Sequence, residues 1–321
     1  MQDRIQRLVC WMLLCGASSA IPQPYPSKPV RLIVGFPAGG AADIIARTLG
    51  YAFTQDLGQQ VIIDNRAGAG GSLGSEITAK AEPDGYTILM ISSSYAANAA
   101  LYRQLRFDPI KALAPVTLVA SAAQVLLANP NLPFRDIKAL IAEAKASPGK
   151  LNYASAGTGS TTHLAGELFK LMADVNLTHI PYKGGSPALT DLIGGQVQLL
   201  FLAIPPALAQ IRAAKVRAIA VTSSNRAVAL PDVPTVAESG VAGYEATNWY
   251  GILAPAAIPT RILSDLENHV VKLIRLPEVS EQIVKQGAEP VGSSAKEFSR
   301  YLISEIAKWS RVVKQSGIHA D

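Results

Sequence analysis

Apolar residues fall into short continuous runs that alternate with stretches of helical period. Residues 30–36 (VRLIVGF) read as a strand, and 43–57 follow with Ile45, Leu49, Ala52 and Phe53 on one helical face. A strand over 61–65, a glycine-rich loop, a helix over 72–81 and a strand over 86–92 come next, with Asp84-Gly85 marking the turn before that last strand. The run 116–128 is long and apolar. Asp136 stands where it caps a helix whose Ile137, Leu140, Ile141 and Ala144 share a face, and Pro148-Gly149 ends it. Strands over 151–155, 178–182, 197–203 and 217–222 then alternate with three helices. The first of these puts Leu164, Leu168, Leu171 and Met172 in register, and the others cover 187–193 and 206–215. A final β run, 249–253, gives way to helices over 260–276, 278–286 and 296–314.

Repeated strand–helix–strand units imply an α/β fold with mostly parallel sheets flanked by helices. Two such series joined by long apolar strands imply two lobes, with crossings near 118–122 and near 246–250. The expected division is 1–22 as a leader, 23–119 with 248–321 as lobe 1, and 120–247 as lobe 2. The last helices lack strands of their own and are expected to pack back on lobe 1. No simple tandem repeat is visible.

With 321 residues, 49% of them hydrophobic and 6% aromatic, the chain is long enough for two globular cores and is not of disordered composition. The two cysteines, Cys10 and Cys15, both lie in a segment with the signature of a secretory signal. Arg4 and Arg7 precede the apolar run 8–17, and Ser18-Ser19-Ala20 supplies small residues for cleavage between about Ala20 and Pro24. Ten apolar residues are too few to span about 30 Å of hydrocarbon. A cysteine-free protein exported to the periplasm follows. The net charge of +5 is scattered rather than gathered in a stripe, which argues against a nucleic-acid partner.

Four turns share one design, a strand followed by small residues and a helix start: 36–43, 65–71, 155–162 and 182–186. Glycines let backbone N–H groups approach a ligand, and a helix N-terminus favours an anion. Loops of this kind sit at strand C-termini, where open α/β sheets bind ligands. Nucleotide motifs fail: the third glycine of G-x-G-x-x-G falls at Leu73, and the P-loop lysine at Ala41. Gly70-Gly71-Ser72-Leu73-Gly74 fits the nucleophile-elbow pattern, so an α/β hydrolase using Ser72 is the alternative function. Ser72 lies too far from its strand for a true elbow, however. No metal-ligand spacing is present, and neither a cofactor nor a metal is expected. His163 either donates to a ligand oxygen or caps locally, and Asp43 suits a helix cap.

Several stretches together resemble the Bug family of periplasmic solute-binding proteins, the TctC-like receptors of tripartite tricarboxylate transporters. They include YPSKPVRLIVGFPAGGAADIIAR, VIIDNRAGAGGSLGSEITAKAEPDGYT, APVTLVAS, LNYASAGTGSTTHLAGELF, HIPYKGGSPALTDLIGGQVQ, RAIAVTSSNRAVALPDVPTVAESG and GAEPVG, in order over nearly the whole chain. The resemblance implies a two-lobed, type II-like binding-protein fold, a receptor and not an enzyme, and a small carboxylate between the lobes. It implies contacts from Phe36, Ala38, Gly39, Gly40, Ala41, Ala42 and Asp43, from Ala69 and Gly70, and from Ser92 and Ser93. In lobe 2 the implied contacts are Ser155, Thr158, Gly159, Ser160, Thr161, His163 and Tyr182, with Leu202 and Ala203. Relatives carry Ser or Thr where Ala42 stands and Asp where Leu202 stands. A more apolar cleft, and an aliphatic or aromatic ligand with an apolar or aromatic body behind its carboxylate and no amine, are therefore expected where Leu202 lines the cleft; the alternative is that Leu202 faces the sheet core. A membrane transporter or a sensor kinase is the expected partner, and a monomer the expected state.

Overall fold

The computed structural model describes residues 25–101 and 105–317. The expected leader lies outside these residues. Among them, no helix is long and apolar enough to cross a membrane.

Two mixed sheets form the frame. The first has six strands in the order β11-β4-β10-β3-β1-β2: β1 Val30–Val34, β2 Val61–Asn65, β3 Thr87–Ser92, β4 Leu113–Ala122, β10 Asn248–Pro255 and β11 Glu289–Pro290. The second has five in the order β7-β6-β8-β5-β9: β5 Gln124–Ala128, β6 Asn152–Ser155, β7 Thr178–Pro181, β8 Leu199–Ala203 and β9 Arg217–Val221. The helices are α1 Ala41–Leu57, α2 Ser72–Ala79, α3 Ser94–Leu101, α4 Ile137–Ala146 and α5 Thr161–Ala173, followed by α6 Gly185–Ile193, α7 Ile204–Arg212, α8 Thr260–Ile274, α9 Pro277–Lys285 and α10 Ala295–Ser316.

Local sequence accounts for much of this. In α1 the buried positions Ala42, Ile45, Ala46, Leu49 and Phe53 follow the helical period, and Gly58 closes the helix in a left-handed conformation. Asp136 caps α4 by accepting the Ala139 N–H at 2.8 Å. The sheets are less parallel than expected. β1 pairs in parallel with β2 and β3, and β6 with β7 and β8. The strands that arrive by crossing between lobes run the other way: β10 is antiparallel to β3 and β4, and β5 to β8 and β9. A strand entering a sheet directly from the other lobe has no crossover helix to turn it parallel.

The apolar run 116–128 is two strands. β4 pairs with β10 in the first sheet as far as Ala122, whereas β5 pairs with β8 from Gln124. The return crossing falls between Ala246, whose N–H bonds the Thr222 carbonyl, and Asn248, which pairs with Ala122.

Of the last helices, α8 and α9 pack on α1 in the first lobe, but α10 packs on α3 and β4 and also on α5 of the second lobe. At 22 residues it is about 33 Å long, enough to cross both lobes. Its buried stripe of Phe298, Leu302, Glu305, Ile306, Trp309, Val312 and Val313 makes one apolar cluster continuous from Ile33 and Leu89 in the first sheet to Leu126 and Phe201 in the second.

Candidate functional site

The C-terminal ends of β1, β3 and β6 converge on a cleft of about 570 Å³ between the sheets. Its lining comes from the loop after β1 (Phe36, Pro37, Gly40, Ala41, Ala42), from Gly70, from Ser92, and from 156–161 at the start of α5. Ser94, Asn98 and Leu101 of α3 and Asn248 and Tyr250 of β10 complete it, and among the described residues no lining residue carries a charged side chain. Two surface hollows of similar size, along α5 and α10 and along α1 and α8, are lined by charged side chains, among them Lys145, Glu167 and Lys170 in the one and Arg47, Asp56 and Lys272 in the other.

On the first-lobe side, backbones meet closely: a Cβ on Gly35 would stand 2.9 Å from the Gly71 Cα. Only glycines let these two loops lie side by side. The Gly70 carbonyl is tied down by the Ser94 hydroxyl and the Asn98 amide, both at 2.9 Å. Because the single Ser94 hydroxyl proton goes to Gly70, Ser92 Oγ donates to Ser94 Oγ, 2.9 Å away.

Asp43 stands behind the first loop, 2% exposed, and accepts from the Gly39 N–H at 2.8 Å, Arg47 Nε at 2.9 Å and Asn65 Nδ2 at 2.9 Å. Burial alone would raise its carboxyl. The hydrogen bonds from Arg47, Gly39 and Asn65 outweigh burial and hold the carboxyl below the usual carboxylate range. The first-turn N–H groups of α1 have no intrahelical partner, and Gly40 at the N-cap has no side chain to take one.

On the second-lobe side, Ser160 caps α5 by accepting the His163 N–H. The His163 ring is buried, and its Nδ1 accepts the Gly159 N–H at 3.0 Å. Nδ1 as acceptor means that a neutral ring carries its hydrogen on Nε2, which lies 3.9 Å from Glu167 Oε1. The ring stacks on His179, centroids 3.8 Å apart and 11° from parallel. Burial, then His179 and Lys170, push His163 down to about 3. Burial likewise lowers His179 to about 4, with Lys170 adding to this against Glu167.

The structure therefore brings Phe36, Gly40, Ala41, Ala42, Gly70, Ser92, Thr158, Gly159, Ser160 and Thr161 to one cleft. Ala38 and Gly39 sit at the exposed loop tip, and the Ala69 backbone lies in the short turn before α2. Asp43 and His163 shape the loops from behind. Ser93 is buried and donates to Asn248 Oδ1 at 2.7 Å. Ser155 is buried against His179 Nε2 at 2.7 Å, and the Tyr182 hydroxyl donates to Asp191. Ala203 is exposed just before α7.

Leu202 is not at the lining. It is 4% exposed in an apolar cluster with Leu189, Leu192 and Ile204, beneath Gly185. Alternate residues of a strand face opposite sides, and α6 covers the side that Leu202 takes.

Sequence reasoning missed Ser94, Asn98, Leu101, Asn248 and Tyr250. The stretch SYAANAAL is rich in good helix formers after a serine and directly follows β3, which was a readable signal for α3.

Ser72 opens α2 and receives a hydrogen bond from Asn98 at 3.2 Å. The three described histidines bond Gly159, Ser155 and Asp56 instead. Among the described residues no group of acids, histidines or cysteines is placed to hold a metal.

Residues 45–318 match the model of the tripartite tricarboxylate transporter family receptor. The protein BugT of Bordetella pertussis is 38% identical over 295 residues, covering 91% of this chain and 90% of its own. The structure of R. palustris Rpa4515 with adipate superposes with a TM-score of 0.76 at 35% identity, over 92% of this chain and all but 1% of its own, its coverage being 99%. MatC from Rhodopseudomonas palustris with bound malate gives 0.73 at 31% identity, over 90% of this chain and 100% of its own. With its two mixed α/β lobes and glycine-rich cleft, the chain belongs to the tripartite tricarboxylate transporter receptors of the Bug (TctC) type, a family of solute-binding proteins and not of enzymes.

Proposed function

We propose that this protein is a periplasmic receptor that captures a small carboxylate lacking an amine and presents it to a membrane partner. The observation that carries the reading is the cleft itself. First-turn N–H groups border it, those of α1 with no side-chain cap and those of α5 with only that of His163 taken by Ser160. Hydroxyls come from Thr158, Ser160 and Thr161, and among the described residues no charged side chain lines it. A carboxylate gains charge-assisted hydrogen bonds from such donors. An ammonium group buried there would meet no acid, and an unpaired buried ion is costly. This absence of an acid, and not Leu202, is the ground for expecting no amine. The relatives solved with adipate and malate support a carboxylate ligand.

Strand pairing supports lobes made of 25–122 with 248–317, and of 123–247, closing about the crossings as rigid bodies. The leader-like N-terminus supports export, after which the receptor acts as a monomer. A tripartite membrane transporter is the partner the family suggests, with a sensor kinase as the second possibility. The test is a melting-scan panel of succinate, glutarate and adipate against aspartate and glutamate. A ligand at about 100 times its Kd adds about 2.7 kcal/mol of stability. We expect the diacids to stabilise and the amino acids to do so far less; preferential binding of the amino acids would refute the proposal.

A further inference from the structure

On the crossing strand, Asn248 sits between two hydroxyls. Ser93 Oγ donates to its Oδ1 at 2.7 Å, and its Nδ2 donates to the Tyr250 hydroxyl at 3.0 Å. The relay thus runs in one direction, from Ser93 through the amide to Tyr250. Tyr250 is already an acceptor in it, and its own hydrogen goes to no acceptor in the protein among the described residues.

Burial explains the direction. Turning the amide over would reverse both bonds, satisfy the Tyr250 hydrogen, and leave the spare one on Ser93. Ser93 is 2% exposed and is not among the residues lining the cleft, so an orphaned donor there is unfavourable. Tyr250 is 6% exposed but lines the cleft, so a bound molecule can take the hydrogen. Tyr250 is therefore a cleft-lining side chain, more than nine-tenths buried, whose hydroxyl hydrogen has no acceptor in the protein among the described residues.

We propose that Tyr250 is a specificity-determining donor, polarised by the Ser93–Asn248 relay, that selects carboxylates carrying a second acceptor such as a distal carboxylate or keto oxygen. The inference rests on the carboxylate reading and narrows its substrate class. Burial pushes the Tyr250 phenol up to about 12, against the Asn248 bond, so it stays a donor across the physiological range. Ser93, which reaches the ligand only through Asn248, is a positioning residue.

Calorimetry with matched pairs tests this: succinate with butyrate, glutarate with valerate, adipate with hexanoate. In the wild type the preferred diacid should bind at least about tenfold tighter than its monoacid, the scale of one hydrogen bond to a charged acceptor. Tyr250→Phe should erase most of that ratio, the diacid losing far more affinity than the monoacid. Ser93→Ala should reduce the ratio by a smaller factor, about threefold, and Ser93→Thr should restore it, since only the hydroxyl matters. Urea unfolding of each variant confirms that folded protein is compared. An unchanged ratio in Tyr250→Phe, or monoacids binding as well as diacids in the wild type, overturns the inference alone. Binding of neither series overturns the carboxylate reading and the inference with it.

Discussion

In the first lobe Asp43, third residue of α1, accepts the N–H of Gly39; in the second, His163, third residue of α5, accepts the N–H of Gly159. Each acceptor reaches back four residues. Both glycines take positive φ, 85° and 75°. Each acceptor also has a partner one turn on, Arg47 for Asp43 and Glu167 for His163. The two stretches, Ala38 to Arg47 and Thr158 to Glu167, share little beyond this frame. The loop geometry needs a left-handed glycine and an acceptor at the third helical position, and the chemical identity of the acceptor is free. One lobe uses a carboxylate with a counter-ion; the other uses a neutral ring shielded by a second ring. In both, the glycine N–H is taken by its own helix, which leaves the N–H groups that follow at the cleft wall. The lobes differ in what surrounds those groups: Thr158, Ser160 and Thr161 bring hydroxyls, whereas Ala38, Gly40, Ala41 and Ala42 bring none.

The strongest way to break the first loop is Asp43→Ala. It leaves the Gly39 N–H without its acceptor and Asn65 with only the Phe36 carbonyl, in a partly buried place, and should cost about 2–3 kcal/mol. Urea unfolding at neutral pH measures it, and a loss under about 0.5 kcal/mol, the size of an ordinary surface change, would show that the carboxylate does not hold the loop.

The second loop should instead respond to acid. His163 is depressed in the fold to about 3, so it is neutral there while the unfolded chain takes up a proton below its ordinary value of about 6.5. The stabilisation is complete above that value and is lost as pH falls towards the folded one. Between pH 7 and pH 5 His163 alone should cost about 2 kcal/mol, with His179 acting in the same direction. His163→Asn, which keeps an acceptor near the Nδ1 position without the titration, should flatten that part of the curve. An identical pH profile in the variant would contradict the assignment.

The smallest expected effect compares the glycines. Gly39→Ala meets nothing within 4 Å, and Gly159→Ala meets only Leu101 at 3.7 Å. Each change should then cost only the left-handed backbone term, about 1 kcal/mol. Similar losses in the two variants support a shared frame, and a much larger loss at Gly159 would point to contact across the cleft.

Much of this was legible along the chain because it is local. β2, the Asp136 cap, and the glycine turns at the strand ends depend on residues within a few positions of one another. The family resemblance placed several of the same loops in the cleft. Reading failed where faces and partners matter. β8 is apolar at every position, so alternation in the sequence does not say which residues point to the cleft, and Leu202 points to the core. Asn248 and Tyr250 share one face of β10 while Trp249 takes the other, where its Nε1 bonds Glu305 of α10 at 2.9 Å.

By itself the sequence determined the α/β alternation, the two series of elements and the anion-friendly loops, because helical period, caps and turn glycines act over short distances. Only the tertiary structure decided strand direction, the split of 116–128 at Ala123, and the path of α10 across both lobes. It alone turned Asp43 and His163 from ligand candidates into loop anchors, and brought Tyr250 to the cleft. These outcomes depend on which distant surfaces exclude water together and on which buried donors find acceptors. Both are properties of packing between segments far apart in the chain.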